Sequence, residues 1–118
     1  MSRSYTVSTK ISLIEDAKEK RRDDVSFSQD VTENTEQDLI VVFGASDVAV
    51  NMGGVSNAKL LIITTDLKVT VKINSSLVAL PVSKQLIVTG DATDSITSIS
   101  ISNASADTDA NVRIIVGE

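Results

Sequence analysis

Hydrophobic and polar residues alternate with a period of two along much of this chain, the pattern of strands with one buried face. Residues 5–14, YTVSTKISLI, put Tyr5, Val7, Thr9, Ile11 and Leu13 on one face and Thr6, Ser8, Lys10 and Ser12 on the other. VSFSQDV (25–31) alternates again, with Val25 and Phe27 on the apolar side. LIVVF (39–43) is apolar on both faces and β-branched, which predicts a central strand after a turn at 32–38. Residues 44–57 carry three of the five glycines and predict a long loop around a short strand near Val48–Val50.

Strand signals then crowd together. KLLIITT (59–65) and LKVTVKI (67–73) predict a hairpin, with Leu67, Val69, Val71 and Ile73 inward and Lys68, Thr70 and Lys72 outward. Pro81 cannot donate to a ladder, so 76–82 belongs at a sheet edge or strand end. Strands at 84–90, 96–102 and 111–117 complete eight or nine. With turn signals about every ten residues and no helical period, the chain predicts an all-β fold, an antiparallel β-sandwich of about eight strands, jelly-roll-like.

EDAKEKRRDD (15–24) breaks the pattern, with nine charged residues in ten. It is expected to be a solvated loop or short exposed helix, its basic tetrad Lys18, Lys20, Arg21 and Arg22 neutralised by flanking acids. The expected organisation is therefore an N-terminal strand or arm with a charged linker over 1–24, followed by a sandwich domain over 25–118. The arm either pairs with its own sandwich or adds a strand to a neighbour's sheet. Tyr5, Val7, Ile11 and Leu13, with Val25 and Phe27, are the candidate protein-interaction residues.

Composition narrows the chemistry. At 118 residues and 12.5 kDa the chain can bury a core without staples. It has neither cysteine nor histidine, so Ser-His and Cys-His nucleophile systems and thiolate metal sites are excluded. A net charge of −5 and a pI near 4.6 argue against a nucleic-acid partner. No apolar run approaches the roughly 20 residues that span a bilayer, so no membrane partner is expected. The start, MSRSYTVSTK, lacks the apolar centre of a secretory signal.

Asp107, Asp109 and Asn111 match the first three ligand positions of an EF-hand loop, and Glu118 falls at the twelfth. The sixth position needs glycine for its sharp turn and holds Val112, at the start of a predicted strand. No metal is expected there, although a looser site pooling Asp91, Asp94, Asp107 and Asp109 is conceivable. MGGVSN lacks the lysine of a phosphate loop. The sequons at Asn74 and Asn103 carry no weight without a secretion signal. Tyr5, Phe27 and Phe43 are the only aromatics, which leaves little for sugar stacking. The expectation is a protein without enzymatic activity and without a cofactor.

Three stretches, AKLLIITTDLKVTVKIN (58–74), LVALPVSKQLIVTG (77–90) and ITSISISNASADTDANVRIIVGE (96–118), resemble small virion structural proteins of tailed bacteriophages. The resemblance covers about 58–118. It implies a jelly-roll-like capsid decoration or cement protein that binds the major capsid protein, self-associates as a dimer or trimer, and sits on the capsid exterior after assembly in the host cytoplasm. A tail, neck or baseplate component, including a receptor- or glycan-binding module, is the alternative. No catalytic residue is implied.

Overall fold

The computed structural model describes residues 3–118, together with every side chain among them except that of Lys20. Met1 and Ser2, at the head of the expected arm, lie outside the described residues. These form ten strands and no helix, and the chain divides into two compact units after Val31.

The first unit is a two-stranded antiparallel ribbon of β1 (Arg3–Glu15) and β2 (Lys18–Val31). Asp16 and Ala17 connect the strands with φ of 53° and 61°. Positive φ at both central residues gives the turn the twist that two long strands need. The ladder slips once, where Leu13 faces Arg21 and Ile14 faces Glu19.

This ribbon overturns the loop-or-helix expectation for 15–24. Those residues make the turn and then the first half of β2. Their period was invisible because each of them whose side chain is described is exposed, so charges occupy both faces without a desolvation cost. The boundary expected after Asp24 moves to Val31, since 25–31 continues the same strand.

The second unit, Thr32–Glu118, is an antiparallel β-sandwich. Its strands are β3 (Asn34–Val41), β4 (Val48–Ala49), β5 (Leu60–Thr65), β6 (Val69–Ile73), β7 (Leu80–Val82), β8 (Gln85–Thr89), β9 (Ile99–Ser102) and β10 (Ala110–Gly117). One sheet has the order β3-β10-β5-β8 and the other β4-β9-β6-β7. The pairings nest: β3 with β10, β4 with β9, β5 with β8 and β6 with β7. The β10–β5 and β9–β6 ladders then stitch neighbouring pairs together. The unit is a four-strand-deep hairpin rolled onto itself.

Between the sheets Val41, Leu61, Ile63, Val69, Val71, Ile99, Ile101, Val112, Ile114 and Val116 form one buried cluster. Each such side chain contributes about 1.5–3 kcal/mol on leaving water. Thr65 and Asn103 are the buried polar residues beside it, and Asn103 is 1% exposed. Its amide donates to the Val41 carbonyl at 3.0 Å and the Thr108 carbonyl at 2.9 Å, while its oxygen accepts from the Ser105 N–H at 3.0 Å. It thereby ties the start of the 103–109 loop to the end of β3.

The inward set of β6 is as expected, and Pro81 sits on the edge strand β7. Two strand assignments change. β5 and β6 are not a hairpin: they lie in opposite sheets and the turn between them crosses the core. Strand, short polar turn, strand is equally the pattern of a sheet-to-sheet arch, and period two does not distinguish them. Residues 39–43 are not a central strand, and 32–38 are not simply a turn. β3 begins at Asn34 and runs at a sheet edge, leaving Ile40, Val42 and Phe43 exposed.

Candidate interaction surface

The ribbon register gathers all six candidate residues on one face. Tyr5 stands opposite Gln29, Val7 opposite Phe27, Thr9 opposite Val25, Ile11 opposite Asp23, and Leu13 opposite Arg21. Side chains directly opposite in an antiparallel pair point to the same side. Tyr5, Val7, Ile11, Leu13, Val25 and Phe27 therefore share one face, with Val7 directly opposite Phe27 and with Ile11 and Leu13 opposite the charged Asp23 and Arg21. Tyr5, Val7 and Phe27 are half-buried, whereas Ile11, Leu13 and Val25 are 57%, 58% and 55% exposed.

The opposite face is hydroxylated and charged apart from Ile14, which is 66% exposed near the turn. Thr6 and Ser28 share a hydrogen bond at 3.1 Å, Ser8 faces Ser26, and Lys10 faces Asp24. Beyond them the Arg22 guanidinium meets Asp24 at 3.2 Å, and on the apolar face Arg21 meets Asp23 at 3.0 Å. These exposed pairs each contribute at most about 1 kcal/mol and serve mainly to keep the distal ribbon hydrated. A two-stranded ribbon is by itself marginal in water, and apolar side chains exposed together on one face make a candidate contact surface.

The acidic loops are structural. Asp109 accepts from the Phe43 N–H at 3.0 Å. Asn111 donates to Asp66 twice, from its backbone N–H and its side-chain amide, both at 2.9 Å. Asp107 accepts from the Thr108 hydroxyl at 2.9 Å. Asp91 caps its own turn, accepting from the Thr93 and Asp94 N–H groups at 2.8 and 2.7 Å. The three EF-like side chains thus bond to separate partners, and the described residues include no cluster of three or more carboxylates that could hold an ion. Asn103 of the second sequon is buried with its amide engaged. A shallow groove of about 550 Å³ runs over the outer face of β3, β10 and β5. Its polar groups pair with one another, Arg113 with Asp38 at 3.3 Å and Asn111 with Asp66.

Sequence reasoning missed the apolar exposures on the sandwich, that of Ile40, Val42 and Phe43 at the end of β3 and another in the loop before β7. Leu77 is 96% exposed and Val78 is exposed beside it. They follow Asn74 and Ser75, both at positive φ, in a loop whose apolar letters look like the start of a strand. The Asn-Ser-Ser run ahead of them was the available turn signal. No protein-family model, no curated protein and no solved structure matches this chain.

Proposed function

We propose that this chain is a non-enzymatic structural protein of a tailed-bacteriophage virion, which self-associates and binds the outside of the assembled capsid so as to hold neighbouring major capsid subunits together. The observation that carries the reading is the cluster of apolar side chains on one face of the ribbon, whose strand β1 is about 44 Å long at roughly 3.4 Å per residue over its 13 residues. The nested pairing of the eight sandwich strands supports a jelly roll, an architecture common in capsid proteins. The resemblance of 58–118 to small phage virion proteins supports the same setting.

Function in this reading is mass action. A protein that binds the closed shell, and not its separated subunits, stabilises the shell by RT ln(1 + [L]/Kd) at each site. The ribbon's apolar face supplies the buried contact and its charged distal half supplies a hydrated rim.

The test mixes purified protein with expanded phage heads that lack it, then measures co-sedimentation and the temperature at which the heads open. Binding should raise that temperature. Val25→Asp should weaken binding at least about tenfold, equivalent to about 1.4 kcal/mol. Leu77→Asp, equally disruptive of apolar surface but on the sandwich, should leave it unchanged. Heads that neither bind the protein nor gain heat resistance would remove the reading. Labelled protein found only at the tail tip would move it to the tail.

A further inference from the structure

The ribbon has edges as well as faces, and its two edges differ. β2 carries eight charged residues among its 14 and a ladder slip beside Glu19, the devices that blunt an edge against further pairing. β1 carries three charges in 13 residues and is otherwise Ser, Thr, Tyr, Val, Ile and Leu. Among the described residues β2 is the only strand paired with β1. Its other edge carries no ladder among the described residues, and Arg3, Lys10 and Glu15 are the only charges along it.

We propose that this edge pairs with β1 of a second copy of the chain, antiparallel and centred on Thr9, forming a four-stranded sheet β2-β1-β1-β2 across a two-fold axis. β1 runs from Arg3 to Glu15, so Thr9 is its midpoint and this register overlaps the whole strand. Read across the axis, the strand is complementary to itself. Tyr5 faces Leu13 of the other copy, Val7 faces Ile11, and Thr9 faces Thr9, all favourable cross-strand pairs. Lys10 faces Ser8, so no like charges meet. Facing residues have the same parity, so the apolar stripes of both ribbons lie on the same side of the new sheet.

β2 fails the same comparison. Full overlap of Lys18–Val31 with its own copy sets Glu19 against Asp30 and Phe27 against Arg22, and it turns the two apolar stripes to opposite sides. The pairing also removes the weakness of the ribbon, because a hydrophobic face needs three or more strands for independent stability. It stands apart from shell binding: pairing uses the ribbon's edge, and docking uses its face.

The native chain has no cysteine, so single cysteines report the register directly. Directly opposite Cβ atoms lie about 4.5–5.5 Å apart, close enough for a disulfide after small adjustment. Thr9→Cys, at an exposed position, should oxidise to a covalent dimer about tenfold faster than Ser12→Cys, whose sulfurs would sit six residues out of register. Thr6→Cys and Ser12→Cys should cross-link when mixed, and neither alone. Light scattering of the unmodified protein should give a dimer. A monomer, a trimer, or equal cross-linking of Thr9→Cys and Ser12→Cys would overturn the pairing. A cross-linked dimer that leaves phage heads unbound would retain the pairing and reject the shell reading. A monomer that protects heads would do the reverse.

Discussion

Asp66 accepts two hydrogen bonds at the point where the chain crosses from β5 to β6, and that job decides how it titrates. The side-chain amide of Asn111, then its backbone N–H, hold the Asp66 carboxyl below its ordinary value of 3.8. The Asp94 and Thr93 N–H groups do the same for Asp91. A carboxylate whose folded pKa is depressed contributes stability that is present above the unfolded value and is lost as pH falls through the folded one. Both losses belong below about pH 4. Asp66→Asn keeps one acceptor oxygen but sets an amide against the Asn111 amide. The variant should therefore be less stable at neutral pH and lose less on acidification than the native chain. Urea unfolding at neutral pH and at about pH 3 measures both effects, and an unchanged acid loss would mean that Asp66 is not one of the groups responsible. At this scale the sequence was half legible. The Val112 argument left Asp107 and Asp109 in a loop and put Asn111 at the head of the last strand, where they lie, but their separate partners, Thr108, Phe43 and Asp66, are contacts local spacing cannot encode.

At the scale of elements, what could be read was whatever has one wet face and one dry one. β6 is such a strand, and its alternation placed Val69 and Val71 in the core. β2 is not, because its charged half is exposed on both faces, and the turn before it lacks the Asn-Gly or Asp-Gly signal of a tight hairpin. Ala17 occupies that turn at φ 61°, a conformation that costs a residue with a Cβ roughly 1–2 kcal/mol. Ala17→Gly should relieve most of this cost and slow amide exchange along β1 and β2, leaving exchange in the sandwich strands unchanged. Hydrogen exchange followed residue by residue checks it. Equal slowing in both units, or none, would show that the turn does not limit ribbon opening. The six candidate residues could be placed on one face without the hairpin because both half-strands carry their own period-two stripe. What the sequence lacked was the register that joins Val7 to Phe27 and Thr9 to Val25.

At the scale of the molecule, the core and the candidate interaction residues belong to different units. The buried cluster lies entirely within Thr32–Glu118, while the six candidate residues lie entirely before Val31. The ladders of both sandwich sheets join strands of this unit, and its terminus is tied back within the unit: the Thr32 N–H donates to the Glu118 carbonyl at 2.7 Å, and the Glu118 N–H to the Glu33 carbonyl at 2.8 Å. A chain that begins at Thr32 should therefore retain a β-rich circular-dichroism spectrum and a single cooperative urea transition. The same chain should be monomeric and should not bind phage heads, since both the edge of β1 and the stripe across β1 and β2 are gone. Light scattering and co-sedimentation on that one preparation separate the outcomes. A truncated chain that still dimerises would place self-association on the sandwich, where Leu77 and Val78 stand exposed. One that unfolds would show that the ribbon is needed for the core as well as for binding.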